Sequence, residues 1–134
     1  MTEIIDKIAW IHIEDGRVLC ARSKGKDTYY FPGGKREAGE SDIDTLKREI
    51  EEELSVHIKE DTISHFGKFQ AEAHGKGIGT IVNMSCYIAD FEGELSPASE
   101  IEELAWLNYE KRDQVSKVSQ IIFDRLFELG KLMK

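Results

Sequence analysis

Apolar positions recur along the chain at two spacings, and the switch between them marks out the elements. Lys7–Ile13 and Arg17–Ala21 read as strands on either side of Glu14-Asp15-Gly16, where the Asp-Gly step favours a tight hairpin turn. Thr28–Phe31 reads as a short strand that stops at Pro32-Gly33-Gly34, a run that predicts a loop. Ser41 then suits a helix N-cap, and Ile43, Leu46, Ile50 and Leu54 follow at helical spacing, a stripe predicted to face the core. Ile63–Gln70 and Thr80–Phe91 read as further strands, with another short one around Leu104–Leu107. A second amphipathic helix runs from about Ser116 to Leu129, with Val118, Ile122, Leu126 and Leu129 on one stripe and Gly130 as its stop. Strands before, between and after two helices predict an α+β chain in which a mixed β-sheet lies between helices, an α/β/α sandwich. No repeat or linker divides residues 1–134, so a single domain is expected.

Composition narrows the chemistry. A formal net charge of −8 disfavours nucleic acid polymers and anionic membranes as partners. It would also repel a small polyanion unless cations intervene. The apolar stretch Ile4–Ile13 is interrupted by Asp6 and Lys7 and is too short to cross a bilayer. Cys20 and Cys86 sit inside apolar strand-like runs without CxxC or CxxH spacing, so buried free thiols are expected rather than a disulfide or zinc site. A reducing, cytoplasmic location follows from that expectation.

The chemistry concentrates in FPGGKREAGESDIDTLKREIEEELSV, from Phe31 to Val56. On the first helix Glu49, Glu52 and Glu53 stand at i, i+3 and i+4, so their carboxylates are neighbours beside the core stripe. Like charges at that spacing are unfavourable by a few tenths of a kcal/mol per pair, roughly. A hard divalent cation would reverse that cost, since magnesium takes oxygen ligands from a few carboxylates, water and phosphates. A merely solvated acidic face is the ordinary alternative for a charge run. Two neighbours argue against it: Gly33 and Gly34 permit close backbone approach, and Arg48 can hold a carboxylate by a two-pronged bond.

This stretch resembles the Nudix box, in which glycine, glutamate, an Arg-Glu pair, an aliphatic residue, a Glu-Glu pair and a final aliphatic residue follow at fixed spacing. Gly34, Glu40, Arg48, Glu49, Ile50, Glu52, Glu53 and Val56 match in register. Ser55 departs, standing where the family usually has glycine. If that residue ends the helix in a left-handed turn, a Cβ there costs about 1 kcal/mol. The resemblance implies the Nudix fold and hydrolysis of a nucleoside diphosphate derivative by attack of water on phosphorus. It implies that Glu49, Glu52 and Glu53 bind Mg2+, with Mn2+ able to substitute and the carbonyl of Gly33 as a further ligand. Arg48 would orient the glutamates and Glu40 would support the loop or outer-shell water.

The general base stays open between Glu52 and Glu53 in the box and a carboxylate from a later loop, where Glu100, Glu102 and Glu103 are available. At least two of those three are expected to be a solvated strand edge. His65 and His74 are rival bases, each more often a surface or core residue. Tyr29, Tyr30, Phe31, Phe69 and Asn83 are candidates for contact with a nucleobase, against the ordinary role of strand aromatics as core. Gly75-Lys76-Gly77-Ile78-Gly79 reads as a hairpin connection that would bring Lys76 to a phosphate.

Relatives acting on ADP-ribose or dinucleoside polyphosphates often carry proline or tyrosine some 15 to 17 residues past the box. Gln70-Ala71-Glu72-Ala73-His74 has neither. That favours a small-molecule nucleotide, a nucleoside triphosphate or an oxidised one, over ADP-ribose and other nucleoside diphosphate derivatives. A non-catalytic nucleotide sensor is the alternative class, disfavoured because the acidic triplet is complete. The last helix also offers a face for a homodimer.

Overall fold

A computed structural model of the chain describes residues 3–73 and 79–134. Its strands are β1 (Glu3–Ile11), β2 (Ile13–Glu14), β3 (Arg17–Ser23), β4 (Gly33–Lys35), β5 (His57–Ile58), β6 (Ser64–Glu72), β7 (Thr80–Ile88), β8 (Phe91–Glu92) and β9 (Ile101–Leu107). The helices are α1 (Asp42–Leu54) and α2 (Lys117–Glu128). A mixed four-stranded sheet has the order β4-β1-β7-β6, in which β1 and β7 run parallel and the other pairs antiparallel. A second sheet has the order β2-β3-β9.

The alternation within β1 builds the layers. Ile8 and Trp10 pack with Leu46, Ile50 and Leu54 of α1, while Ala9 and Ile11 pack with Ile122, Phe123 and Leu126 of α2. In β3, Leu19 joins the α1 layer, and Val18 and Cys20 join the α2 layer. A strand covered on both faces carries a continuous apolar run, which is why IAWI and VLCA lack polar alternation. The three core side chains of α1 are fully buried, each contributing about 1.5–3 kcal/mol of burial. The expected α/β/α arrangement is therefore the one that forms.

Four expectations are corrected. The hairpin at Asp15-Gly16, with φ of 53° and 76°, joins β2 to β3, because the first strand breaks at His12 and β1 pairs in the other sheet. Gly33–Lys35 is not a loop but the edge strand β4. There Gly33 stands at φ 147°, and a Cβ on it would lie 2.0 Å from the carbonyl oxygen of Ile8, so glycine is what lets this edge reach β1. Thr28–Phe31 forms only isolated bridges, Tyr29 to Val115 and Tyr30 to Ala21. Finally, Ile43 and Leu129 are exposed. Ile43 lies in the first turn of α1, where Thr45 takes the buried position instead, and Leu129 is the C-cap of α2, before Gly130 at φ 74°.

Cys20 and Cys86 are buried free thiols, and burial pushes the Cys86 thiol up to about 12. No helix among the described residues is long and apolar enough to cross a membrane.

Candidate active site

The start of α1 is fixed by a reciprocal cap. Ser41 Oγ accepts from the Asp44 amide at 3.1 Å, and Asp44 Oδ2 accepts from the Ser41 amide at 3.4 Å. The segment before it is tied to the sheet face by Arg36, whose guanidinium bonds both Asp6 and Asp42, while the Tyr87 hydroxyl donates to Asp42 at 2.5 Å. With the helix start set, Arg48, Glu49, Glu52 and Glu53 fall beside β4.

Arg48 is the hub of this face. It donates to both oxygens of Glu40 at 2.7 and 2.9 Å, to Glu49 at 2.9 Å and to the carbonyl of Lys35 at 3.1 Å. Glu40 also accepts from the Glu37 amide and from the Thr45 hydroxyl. The Arg48 guanidinium is the main reason that the Glu40 carboxyl is held down to about 2. Glu40 is thus an anionic brace for Arg48 and the loop.

Glu53 is the opposite case. Its side chain is 3% exposed, and its Oε1 accepts from the Gly33 amide at 3.1 Å. Burial pushes its carboxyl up to about 8, against the pull of the Gly33 amide, and the neighbouring carboxyls of Glu49 and Glu100 add to the rise. Burial also raises the Glu49 carboxyl, with Arg48 opposing. A Cβ at Gly34 would lie 2.5–2.6 Å from the Glu49 carboxyl group, so β4 can run against Glu49 only because that position is glycine.

These groups edge a cleft of about 940 Å³. Its lining combines Glu49, Glu53, Glu100, Gly33 and Gly34 with an apolar stretch of Ile5, Val82, Met84 and Val118. Lys7 and Lys35, directly opposite one another across β1 and β4, also line it. Neither lysine is among the expected binding residues, and the cation Lys7 within the apolar run of β1 was the sequence signal for them.

The other expected residues are distributed as follows. Glu52 is about half exposed and lies 3.4 Å from Arg48, outside the cleft lining. Among the described residues no three carboxylates already stand in metal-holding geometry: Glu49 and Glu52 turn to Arg48, and Glu53 to Gly33. Glu100 lines the cleft, but Glu102 and Glu103 are bound by Arg22, and Glu103 also accepts from the Tyr29 hydroxyl at 2.7 Å.

Phe31 is buried with its ring edge-on to Phe123, a floor residue rather than an exposed stacking face. Tyr30 does line the cleft, its hydroxyl 2.5 Å from Ser23 Oγ, and burial pushes it up to about 12. Phe69 stacks on Phe66, Asn83 donates to Asp6, and exposed His65 packs edge-on to Tyr87. His74 and Lys76 lie outside the described residues.

The family model for the NUDIX domain matches residues 7–125. The chain belongs to the Nudix family. It is 31% identical over 114 residues to the CTP pyrophosphohydrolase of Escherichia coli (strain K12), covering 81% of this chain and 79% of that protein. It is 46% identical over 43 residues to the RNA pyrophosphohydrolase of Halorhodospira halophila (strain DSM 244 / SL1), a match spanning 32% of this chain and only 24% of that protein. Both relatives are pyrophosphohydrolases, in agreement with the Nudix enzyme class expected from the box. Among solved structures, the E. coli ORF135 protein superposes with a TM-score of 0.75 at 26% identity, covering 96% of this chain and 92% of that one. The MutT NUDIX hydrolase from Burkholderia pseudomallei shares the fold, with a TM-score of 0.74 at 21% identity over 92% of this chain and 98% of that one.

Proposed function

We propose that this chain is a Mg2+-dependent Nudix pyrophosphohydrolase that cleaves a phosphoanhydride bond of a nucleoside triphosphate, with CTP the first substrate to test. The observation that carries the reading is the buried Glu53 carboxyl. It lines the cleft together with Glu49 and Glu100, with no cationic side chain hydrogen-bonded to it among the described residues. Burying the Glu53 carboxyl without a cationic partner destabilises a fold and makes sense where a cation completes the site.

The donors fit a hard divalent ion, since every side chain offered is a carboxylate and Gly33 adds backbone oxygen. Glu49 and Glu53 would hold it, with Glu52 and the Gly33 carbonyl available. When bound, such an ion neutralises the diphosphate and lowers the pKa of water. Arg48, braced by Glu40, holds Glu49 and Glu52 in reach of the cleft. Glu100, ionised and held below the usual carboxylate range chiefly by the Ser99 hydroxyl, accepts the proton of the attacking water. Lys7 and Lys35 face the polyphosphate, and the apolar stretch carries the nucleoside.

Likeness to the CTP pyrophosphohydrolase along 79% of its length supports a nucleoside triphosphate, and the absence of proline or tyrosine after the box agrees. The test is release of phosphate or pyrophosphate with Mg2+ from CTP, other canonical and oxidised nucleoside triphosphates, ADP-ribose, a nucleotide sugar and a dinucleoside polyphosphate. Metal-dependent turnover of a triphosphate that Glu53→Gln abolishes is expected. Binding without turnover across the panel would replace the hydrolase with a sensor.

A further inference from the structure

The segment from Gly93 to Glu100 crosses the C-terminal end of α1, where helical carbonyls lack partners within the helix. Its own amides supply them. The Ser96 amide donates to the Leu54 carbonyl at 3.0 Å, and the Ala98 amide donates to the Glu53 carbonyl at 2.9 Å. The residue that buries its carboxyl in the cleft is therefore joined, backbone to backbone, to the segment that brings in Glu100. At the far end the Lys24 amide donates to the Glu100 carbonyl at 2.8 Å, anchoring the segment to β3.

Two serines punctuate this junction in the same unusual way. Ser55 ends α1 at φ 65°, ψ 23°, and Ser99 precedes Glu100 at φ 57°. A side chain in the left-handed region costs roughly 1–2 kcal/mol that glycine avoids. What serine adds at each position is a hydroxyl. Ser55 Oγ donates to the Ser96 carbonyl at 3.3 Å, and the Ser99 side chain, one residue away, draws the Glu100 carboxyl below the usual carboxylate range. The strain is kept at the helix end that the segment crosses and again just before Glu100.

We propose that Ser55 and Ser99 are positioning residues that fix the Gly93–Glu100 segment against the end of α1 and aim Glu100 at Glu53. This rests on the reading of Glu100 as the general base. At the box position where Nudix relatives usually have glycine, Ser55 then gives up stability to hold a base carried on another segment.

The test uses the full chain with Ser55→Gly, Ser99→Gly and Glu100→Gln, singly and with each serine change combined with Glu100→Gln. Amide hydrogen exchange on the free protein should accelerate several-fold at Ser96 and Ala98 in Ser55→Gly, although its Tm holds or rises. With CTP and Mg2+, kcat should fall about three- to tenfold in each glycine variant while KM stays within about twofold. Glu100→Gln should lower kcat by about a hundredfold or more, and in that background the serine changes should add nothing. A purely structural role would move Tm and kcat in the same direction. Unchanged kcat in both glycine variants beside a slow Glu100→Gln overturns the positioning role and leaves the base reading standing, as does an equal drop persisting in the Glu100→Gln background. Unchanged exchange at Ser96 and Ala98 overturns the part assigned to Ser55. Wild-type turnover by Glu100→Gln sinks the base reading and the positioning role with it.

Discussion

Replacing Glu53 by glutamine should stabilise the metal-free protein at alkaline pH while removing its activity. The folded carboxyl titrates at about 8 instead of the ordinary 4.5, because burial disfavours the charged form. A carboxyl raised in the folded state favours folding fully below its unfolded value. That contribution is lost progressively as pH rises from 4.5 to about 8. At about 1.4 kcal/mol per pH unit, the interval sets a ceiling on the order of 5 kcal/mol. Rotation of the side chain toward the open cleft would let water reach it, which reduces the expected difference to about 1–3 kcal/mol.

Glutamine keeps an oxygen for the Gly33 amide and turns an amide group toward Glu49 and Glu100, with no charge to bury. Urea unfolding in EDTA at pH 5 and pH 9 measures the effect. Glu53→Gln should match wild type at pH 5 and exceed it by about 1–3 kcal/mol at pH 9. Equal stability at pH 9, or the same gain at both pH values, would refute the claim that an uncompensated carboxyl is buried there.

Three other outcomes follow from the same geometry. Mg2+ binding should release a proton and weaken as pH falls below about 8, because the ion must displace the proton on Glu53, and calorimetry in buffers of different ionisation enthalpy would detect that proton. Arg48→Lys cannot make the two-pronged bond to Glu40 and also reach Glu49, so kcat should drop about 10–100-fold with the circular dichroism spectrum unchanged. Gly34→Ala should displace a side chain, Glu49, and reduce activity in a folded protein. Gly33→Ala meets the Ile8 backbone and should instead lower Tm sharply, an ordering that thermal melts and activity assays check together.

The parts legible in the sequence were those set by local spacing. Gly34, Glu40, Arg48 and Glu49 touch one another because a loop and a capped helix fix their separation, and the register of the box carries that information. The two-sided burial of β1 and β3 was equally readable from their unbroken apolar runs. Failures came where tertiary contacts decide. Pro32-Gly33-Gly34 has turn composition, yet edge pairing with β1 makes a strand of Gly33–Lys35. The helical wheel placed Ile43 on the core face, but burial in α1 begins only at Thr45. Among three similar glutamates, only Glu100 lines the cleft, selected by the left-handed turn at Ser99 and by Arg22 binding the other two. None of those selections leaves a periodic signal.

The most direct test of the account is the initial rate of CTP hydrolysis across a Mg2+ titration for wild type and Glu53→Gln. Saturable, Mg2+-dependent pyrophosphate release by wild type, abolished by EDTA and lost in the folded glutamine variant, is the result predicted here. Wild-type turnover that persists in EDTA or in Glu53→Gln would contradict a cation held by the buried carboxylate.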